Sequence, residues 1–544
     1  EIEIKEKEQQ GILDNKGNVL ARSIKVYNLI LDPKMIYAYS DDRYLHPTLD
    51  ALVEVYGLKK NEILDLIKDK KSSQYIRLLR KISSDEKDNF EKYEEEKNRQ
   101  YIDEKSNYRI KGVWFEEEYK RVYAFDKMFS NVLGFVNDEG SPVMGLELYY
   151  DNNLRGTDGR SFGYLDENRD LTNVYHDAID GCNLYTTLDL DIQRVIEEKI
   201  ELWENEDIGS KRASVIVMDP RDGSILAMAS NNAFDLNNPR DLSMYDEEEL
   251  KENKENLLYR NWSNDCVQFS YEPGSTSKIF TVAGALEEHA VDENTVFECK
   301  GNINLDDGEH KWTIKCNNRS GHGKLDVAES LVQSCNMCMS EMAELMGIDN
   351  FVKYQEIFGF GRKTDIDLPS EVDTGKLIYD EDTMGRTALA TNAIGQNYNC
   401  SMIQMISAYA SVINGGNYYV PHIMKKIENQ SGKIIKEYND KSIRKTVSKE
   451  TSNFIKNALY DTVEKGTGRT ARVKGIEIGG KTGTAEKLPR EDKNYLVSFC
   501  GFYPVDNPEK LVYVIIDEPH LEGEAQANAK YACQLFKNIV EEIR

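Results

Sequence analysis

The sequence contains no run of 18 or more apolar residues, which is the length that a membrane-spanning helix requires. No segment of the 544 residues is therefore predicted to cross a membrane. Low-complexity linkers and internal repeats are missing as well. The chain begins with Glu1 rather than with methionine, and we expect that a signal or a membrane anchor has been removed upstream.

Basic residues are scarce relative to acidic ones. The chain has 69 Lys and Arg against 95 Asp and Glu, which gives a formal net charge of −26. A protein that binds nucleic acid needs a basic surface to meet the phosphates, so this composition argues against nucleic acid as a partner. Hydrophobic residues make up 40% of the chain and charged residues 30%, as in soluble globular proteins, and the length predicts two or three domains.

The pattern of charged and apolar residues changes after about 180 residues. We therefore predict an N-terminal domain over 1–182 and a C-terminal domain over 183–544. Residues 58–110 are dense in charge, with Ile and Leu at helical spacing through Leu79, which predicts exposed amphipathic helices. The C-terminal part is predicted to contain a hairpin over 213–228, strands over 476–478, 495–499 and 511–516, and helices over 278–288, 325–333, 337–346, 402–414 and 528–544. Strands at both ends with helices between them predict an α+β fold.

The first of three motifs that carry chemistry is Ser275-Thr276-Ser277-Lys278. Pro273-Gly274 precedes it and a largely apolar run follows, which predicts that Ser275 lies at the N-terminus of a buried helix. Unpaired backbone N–H groups and the helix dipole favour developing negative charge there. Burial disfavours the charged form of a lysine, so a neutral Lys278 could take the proton of Ser275 and create a nucleophile.

The same serine-lysine spacing recurs in Ser84-Asp85-Glu86-Lys87, so the pattern alone is weak. That second copy lies in a run of charged residues, and we interpret it as an exposed helix without chemistry.

The second motif, Ser334-Cys335-Asn336, is predicted to form a turn between two helices that aims a hydroxyl and an amide into a cleft. Asn336 could equally be an ordinary turn or cap residue. The third motif, Lys481-Thr482-Gly483-Thr484, is predicted to begin a strand that offers donors to a carboxylate and binds an extended peptide by β-addition. Gly483 would allow a close approach of another backbone. The N–H groups of Ser275 and Thr484 are the candidate oxyanion hole.

In this order, the three motifs are known from β-lactamases and penicillin-binding proteins. The chain resembles the class B penicillin-binding proteins, the monofunctional peptidoglycan D,D-transpeptidases, over nearly its whole length. Further stretches that carry the resemblance are 11–21, 132–136, 145–147, 358–361 and 368–371. Two positions depart from the family pattern: Gln10 replaces a usual arginine, and Gly395-Gln396-Asn397 replaces Gly-Gln-Gly. The Ser-Cys-Asn form of the second motif is most similar to the sporulation subgroup.

The resemblance implies a transpeptidase domain with an antiparallel sheet between helices, carried on an elongated N-terminal pedestal. It also implies that Ser275 attacks the penultimate D-Ala carbonyl of a peptidoglycan stem peptide on a lipid-linked precursor, and that β-lactams acylate the same serine. The chemistry would need no cofactor. Relatives are held in the cell membrane by one N-terminal helix, with the catalytic domain outside, and work with a membrane-embedded glycosyltransferase of the shape, elongation, division and sporulation group.

Three other functions share part of this motif pattern or of the domain organisation. A β-lactamase would need a deacylating base, and no Glu-x-x-Leu-Asn occurs between Asn336 and Lys481. A D-Ala-D-Ala carboxypeptidase differs only in using water as acceptor, and the long N-terminal region favours the transpeptidase. A non-catalytic scaffold for wall synthesis is disfavoured by the intact motifs.

Nine cysteines, an odd number, include a cluster of four: Cys299, Cys316, Cys335 and Cys338. Cys335 and Cys338 form a C-x-x-C pair at the start of a helix, which is a good chelating geometry and suggests a structural zinc. The fourth ligand stays open, because His322 could replace Cys335 and His310 lies between the first two cysteines. Disulfides or buried thiols are the alternatives. The other five cysteines are predicted to be buried or isolated thiols: Cys182, Cys266, Cys400, Cys500 and Cys533.

Overall fold

The computed structural model describes residues 2–5, 10–157, 159–165, 171–177, 179–251, 253–306 and 311–544. Within those ranges, no helix combines the length and the apolar character that a membrane crossing requires.

The strands, in chain order, are β1 (Ile2–Lys5), β2 (Ile12–Leu13), β3 (Val19–Leu31), β4 (Ile76–Ile82), β5 (Val113–Tyr123), β6 (Gly159–Leu165), β7 (Leu171–His176), β8 (Asn183–Thr186), β9 (Ser210–Met218), β10 (Ile225–Ser230), β11 (Ser270–Tyr271), β12 (Val296–Cys299), β13 (Asn302–Asp306), β14 (Lys311–Lys315), β15 (Gly323–Asp326), β16 (Cys400–Ser401), β17 (Asn417–Tyr418), β18 (Met424–Glu428), β19 (Ile434–Glu437), β20 (Arg444–Lys445), β21 (Gly479–Glu486), β22 (Tyr495–Tyr503) and β23 (Lys510–Pro519).

The α-helices are α1 (Pro33–Ile36), α2 (Leu45–Tyr56), α3 (Lys60–Ile67), α4 (Ser84–Asp103), α5 (Ser130–Leu133), α6 (Gly145–Tyr149), α7 (Asp151–Leu154), α8 (Leu190–Asn205), α9 (Lys254–Trp262), α10 (Asp265–Gln268), α11 (Lys278–Glu287), α12 (Val327–Val332), α13 (Asn336–Met346), α14 (Ile348–Phe358), α15 (Arg386–Asn392), α16 (Met402–Ile413), α17 (Lys449–Glu464) and α18 (Lys530–Ile543).

A five-stranded antiparallel sheet in the order β10-β9-β23-β22-β21 organises the C-terminal part. Alternate residues of a strand point to opposite faces, and the strands here bury both. Val215 and Val217 of β9 pack in one cluster with α8 and α18, whereas Ile216 packs in the other cluster with the buried helix α16. Helices therefore cover the sheet on both sides, and β21 is left at its edge.

All but one of the predicted elements around this sheet are confirmed. β9 and β10 form the expected antiparallel hairpin, and β22 and β23 extend the strands predicted over 495–499 and 511–516. The predicted helices correspond to α11, α12, α13, α16 and α18, each within a few residues of its predicted bounds. The strand predicted over 476–478 is wrong in its bounds, because those residues are not in a strand and β21 occupies Gly479–Glu486 instead.

A second sheet in the order β19-β18-β8-β2-β3-β4, with β5 also paired to β3, organises the N-terminal part. Its first two strands come from residues 424–437 of the C-terminal part, so the chain returns to complete this sheet. A separate apolar core lies under α2 and α4 and includes Leu49 and Phe90. We call this region, residues 27–123, the head.

One helix prediction in the head is wrong. Residues 60–67 and 84–103 are helical as expected, and a capping box between Ser83 and Glu86 fixes the start of α4. Residues 76–82, however, form strand β4, which pairs antiparallel with β3. Ile76, Leu78 and Leu79 are too few to distinguish a helix from a strand, and the open edge of β3 decides between them.

Candidate active site

Ser275 lies in a short 3-10 turn (Gly274–Ser277) that leads directly into α11. Gly274 has a φ of +60°, and a Cβ there would lie 2.5 Å from the carbonyl oxygen of Thr484. The turn therefore packs on the backbone of β21, and only glycine fits at this position. The Thr276 hydroxyl donates to the carbonyl of Pro273 at 2.7 Å, which holds the turn.

Lys278, the first residue of α11, is fully buried. Its Nζ donates to the carbonyl oxygen of Ser334 at 2.8 Å, to the hydroxyl of Ser334 at 3.2 Å and to Oδ1 of Asn336 at 2.5 Å. Burial lowers the pKa of Lys278 to about 8. The lysine is thus held by the second motif and is poised to lose its proton near neutral pH.

Ser334 occupies the turn between α12 and α13 with a φ of +53°. A serine rarely adopts this left-handed conformation, and such backbone strain concentrates at functional sites. The turn aims the Ser334 hydroxyl between two ammonium groups, because Lys481 Nζ also donates to it, at 2.9 Å. The Asn336 side chain is fixed by its own donation to the carbonyl of Lys315 at 2.9 Å.

Lys481, on β21, is fully buried like Lys278. Its pKa lies well below the usual range, first because of burial and second because the positive charge of Lys278 is close. In the described part of the chain, neither lysine has a carboxylate partner for an ion pair. A bound anion would therefore meet lysine amino groups that no carboxylate occupies, and its negative charge would favour the protonated form of Lys481.

The edge strand β21 forms one wall of the site. A Cβ at Gly483 would lie 2.3 Å from the Ser498 hydroxyl and 2.9 Å from the Thr276 methyl, so the glycine permits close packing behind the turn of Ser275. This agrees with the predicted close approach, although side chains rather than another backbone are the nearest neighbours. Thr482 and Thr484 hydrogen-bond to Thr467 Oγ1 at 2.9 Å and to the Ala527 carbonyl at 3.2 Å.

The motifs open together onto a cleft of about 620 Å³. Sequence reasoning predicted six of the residues that line it: Ser275, Ser334, Asn336, Thr482, Gly483 and Thr484. It missed the others: Asn317, Thr467, Thr470, Glu524, Ala527, Asn528, Ala529 and Lys530. These come from the turn after α17, the segment before α18 and the turn after β14, and no spacing rule connects those segments in sequence.

A larger groove of about 1020 Å³ lies elsewhere, around Thr446–Lys449 and Asp506. It contains no residue of the three motifs. The smaller cleft is therefore the candidate site, because it is lined by the motif residues and the larger groove is not.

The Glu272 side chain connects the segment that carries Ser275 with two others, the turn of Asn397 and the loop of Arg490. Its carboxylate accepts a hydrogen bond from the Asn397 backbone N–H at 3.0 Å and pairs with Arg490, in the loop after β21, at 3.2 Å. Asn397 is the residue that departs from Gly-Gln-Gly, and it keeps a glycine-like φ of +66°. Asparagine tolerates this conformation better than most residues, so the turn is preserved.

Four potential metal ligands meet behind the second motif. One ligand atom each of Cys299, Cys316, His322 and Cys335 lies within 4.8 Å of the others. The Cys316 sulfur is 3.5 Å from His322 Nδ1 and 3.7 Å from the Cys335 sulfur. We call this group the thiol-imidazole cluster.

The thiol-imidazole cluster differs from the predicted set in one member. His322 belongs to it and Cys338 does not, while His310 lies outside the described residues. Cys335 is the N-cap of α13, with extended backbone, whereas Cys338 lies within the first turn of that helix. The remaining cysteines fit the prediction: Cys266, Cys400, Cys500 and Cys533 are buried free thiols, and Cys182 is half-buried.

The second serine-lysine pair has none of this context. Ser84 begins the charged helix α4, and Lys87 Nζ pairs with Glu91 at 2.7 Å on the protein surface. The interpretation as an exposed helix is confirmed.

Comparison with known proteins gives two family matches. Residues 213–541 match the penicillin binding protein transpeptidase domain, and residues 11–186 match the penicillin-binding protein dimerisation domain. Because the first match alone spans more than half of the chain, the protein belongs to the family of penicillin-binding protein transpeptidases. This confirms the resemblance and the predicted fold, whereas the exact boundary at 182/183 stays a prediction.

Individual relatives fit this family. Stage V sporulation protein D of Bacillus subtilis is 35% identical over 80% of this chain and 65% of its own length. Peptidoglycan D,D-transpeptidase MrdA of Acinetobacter baumannii is 28% identical over 78% of this chain and 67% of its own length. Penicillin binding protein 3 of Mycobacterium tuberculosis, solved in complex with aztreonam, has the same fold with a TM-score of 0.70 at 21% identity, over 99% of this chain and 96% of that one. The chain spans just under two thirds of the length of the Bacillus relative.

Proposed function

We propose that the protein is a peptidoglycan D,D-transpeptidase that cross-links stem peptides through an acyl-enzyme on Ser275. The observation that carries this proposal is the Ser334 hydroxyl between the two buried lysines, at 3.2 Å from Lys278 and 2.9 Å from Lys481. The name of the Acinetobacter relative and the aztreonam complex of the Mycobacterium relative support the same reaction and the same class of inhibitor.

In the first half-reaction, neutral Lys278 accepts the proton of Ser275 as the serine oxygen bonds to the penultimate D-Ala carbonyl. The N–H groups of Ser275 and Thr484 stabilise the oxyanion. The carbon–nitrogen bond then breaks, and the Ser334 hydroxyl relays a proton from the lysine pair to the departing D-Ala amine. Lys481 and the hydroxyls of Thr482 and Thr484 bind the terminal carboxylate, and the Asn336 amide orients the peptide.

In the second half-reaction, an amine of a neighbouring stem attacks the ester carbonyl. The ester bond breaks, the Ser275 oxygen recovers a proton through Lys278, and a new peptide bond joins the two stems. A D-Ala-D-Ala carboxypeptidase would use water in place of the amine, and a scaffold would do neither. The edge position of β21 favours an extended peptide as ligand, which suits both enzymes.

Labelling with a fluorescent penicillin tests the acyl-enzyme. Wild type is expected to be labelled at one site, Ser275→Ala is expected to be unlabelled, and Ser84→Ala serves as the matched control at the same spacing. A wild-type protein that takes no label would contradict the enzyme and leave the scaffold. Incubation with lipid-linked precursor and a glycosyltransferase then separates the two enzymes, since cross-linked dimers indicate a transpeptidase and D-Ala release alone indicates a carboxypeptidase.

We further propose that the thiol-imidazole cluster holds a structural zinc. Three thiolates and one imidazole at roughly 2.0–2.3 Å from one ion form a common tetrahedral site, and the observed cluster needs only a small contraction to reach it. The ion would brace the turn that carries Ser334, because Cys335 follows it directly. The acyl-transfer steps themselves use no metal.

Elemental analysis of protein purified without chelator is expected to find one zinc per chain. Cys316→Ser is expected to lose it, and Cys338→Ser, one helical turn beyond Cys335, is the matched control that keeps it. Loss of zinc in Cys338→Ser together with its retention in His322→Ala would contradict the cluster.

The remaining parts of the proposal concern the cellular setting. The family match supports an N-terminal pedestal over 1–182 and a transpeptidase domain over 183–544. A membrane anchor upstream, an extracytoplasmic position and a membrane-embedded glycosyltransferase partner follow from the resemblance to the family. The Bacillus relative suggests a role in sporulation, and a deletion strain tests it against roles in elongation and division.

A further inference from the structure

The cleft wall has one charge that the proposed mechanism does not use. Among the residues that line the cleft, only Glu524 and Lys530 carry exposed charges. Glu524 pairs with Lys493 at 2.9 Å. Lys530 is exposed and has no ion-pair partner among the residues that the structure describes. The Nζ atom of Lys530 lies 5.0 Å from the centre of the Tyr531 ring. An exposed cation–π contact of this kind is weak, so the cation can exchange it for a carboxylate of a ligand.

Local structure explains why Lys530 faces the cleft. It is the first residue of α18, and Cys533, one turn later, is fully buried against the sheet. Residues three apart share a helix face, so the first turn of α18 brings Lys530 to the rim of the cleft that β21 also lines. The preceding segment is tied to the same strand, because Thr484 Oγ1 donates to the Ala527 carbonyl at 3.2 Å.

The direction of the donor peptide follows from β21. In the proposed function, the terminal carboxylate binds at Lys481 and Thr482, and the peptide extends along the strand past Thr484. Strand residues are about 3.3 Å apart, so a peptide that reaches the Ala527 contact has advanced by two or three residues from its terminus. A second carboxylate, carried near that point, would come within reach of the flexible lysine.

We propose that Lys530 is a specificity residue that binds a second carboxylate on the donor, near the residue before its D-Ala-D-Ala terminus. This inference rests on the proposed function and adds the chemical class of donor that the cleft prefers. If Lys530 has this role, substrates or β-lactams with an anionic side chain should acylate the protein faster than expected from repulsion by its negative net charge. The interaction is an exposed ion pair, so its contribution is modest and falls with ionic strength.

Two penicillins with the same ring system test it: benzylpenicillin and carbenicillin, which adds one carboxylate to the side-chain carbon next to the amide. The measured quantity is the ratio of their second-order acylation rates, carbenicillin over benzylpenicillin. Lys530→Gln is expected to lower this ratio about three- to fivefold, and Lys530→Arg to restore most of it. The wild-type ratio is expected to fall toward that of Lys530→Gln as salt is raised.

Lys537→Gln, on the same helix and paired with Glu541 away from the cleft, is the matched control and should leave the ratio unchanged. An unchanged ratio in Lys530→Gln, or an equal fall in Lys537→Gln, would overturn the role of Lys530. Failure of wild type to react with benzylpenicillin at all would instead overturn the proposed function, so the two failures are distinguishable.

Discussion

Lysine side chains in the head and in the cleft differ in exposure and in their partners. In the head, lysines are exposed and paired with acids, as in Lys59–Glu62 at 2.8 Å and Lys68–Asp65 at 2.7 Å. In the cleft, Lys278 and Lys481 are fully buried and bonded to a hydroxyl, carbonyls and an amide. Exposed pairs contribute little to stability, whereas burying an unpaired cation opposes folding. Burial of Lys278 and Lys481 is therefore unfavourable for folding, and the proposed roles of these lysines in acyl transfer would account for it.

The largest effect is expected at Lys278, where one substitution tests whether the lysine serves catalysis or stability. Lys278→Met removes the proposed base and should slow acylation by fluorescent penicillin by about 10²–10⁴-fold. Because an apolar side chain of similar length replaces an unpaired buried cation, the free energy of unfolding should be unchanged or higher. Stopped-flow acylation and urea unfolding measure the two quantities. A large loss of stability would contradict the contrast between the head and the cleft, since Lys278 would then stabilise the fold.

The pH dependence of acylation is expected to be smaller. The reactive form of Lys278 is neutral, and burial places its pKa at about 8. The acylation rate should therefore rise with pH through about 8, by roughly tenfold between pH 7 and the plateau, as the neutral fraction grows. The check is the second-order rate from pH 6.5 to 9.5, with the fold monitored by circular dichroism. A flat profile would contradict the assignment of Lys278 as base.

The Glu272–Arg490 pair is intermediate between the two regions, with side chains 13% and 34% exposed. Glu272→Gln keeps the size of the side chain but removes the charge that holds Arg490. Acylation should slow by about fivefold, in keeping with a partly buried ion pair that positions the turn of Ser275. Arg490→Gln should have a similar effect, and the double variant should be no worse than either single one. Additive losses would indicate two independent contacts instead.

The smallest effect is expected in the head. Lys68→Gln breaks an exposed pair with Asp65, one helical turn away, and should lower the free energy of unfolding by at most about 0.5 kcal/mol, with no change in acylation. Urea unfolding in low and high salt measures it. A loss above about 2 kcal/mol would show that the head also depends on individual charges.

The sequence predicted which motif residues meet in the cleft better than it predicted the surroundings of the site. The motif residues and the helix of Lys278 follow from local patterns of turn residues and apolar spacing. Strand β4 was missed because its identity depends on the distant edge of β3. His322 takes the place of Cys338 in the thiol-imidazole cluster because the loop after β14 brings the imidazole to within 3.5 Å of the Cys316 sulfur, a contact that no spacing along the chain predicts. Lys530 entered the cleft only through the packing of α18 against the sheet, which no spacing along the chain encodes.

The return of β18 and β19 to the N-terminal sheet has a consequence for dissecting the molecule. These strands lie in sequence between α16, which packs under the five-stranded sheet, and α17, which leads to Thr467 at the cleft. A chain shortened to residues 183–544 would lose β2 and expose the edge of β8, which invites aggregation. The two parts are connected by strands that pass from one into the other and back. A tilt of the N-terminal part would therefore move β18 and β19, and through them the chain segment that leads to α17 and Thr467 at the cleft.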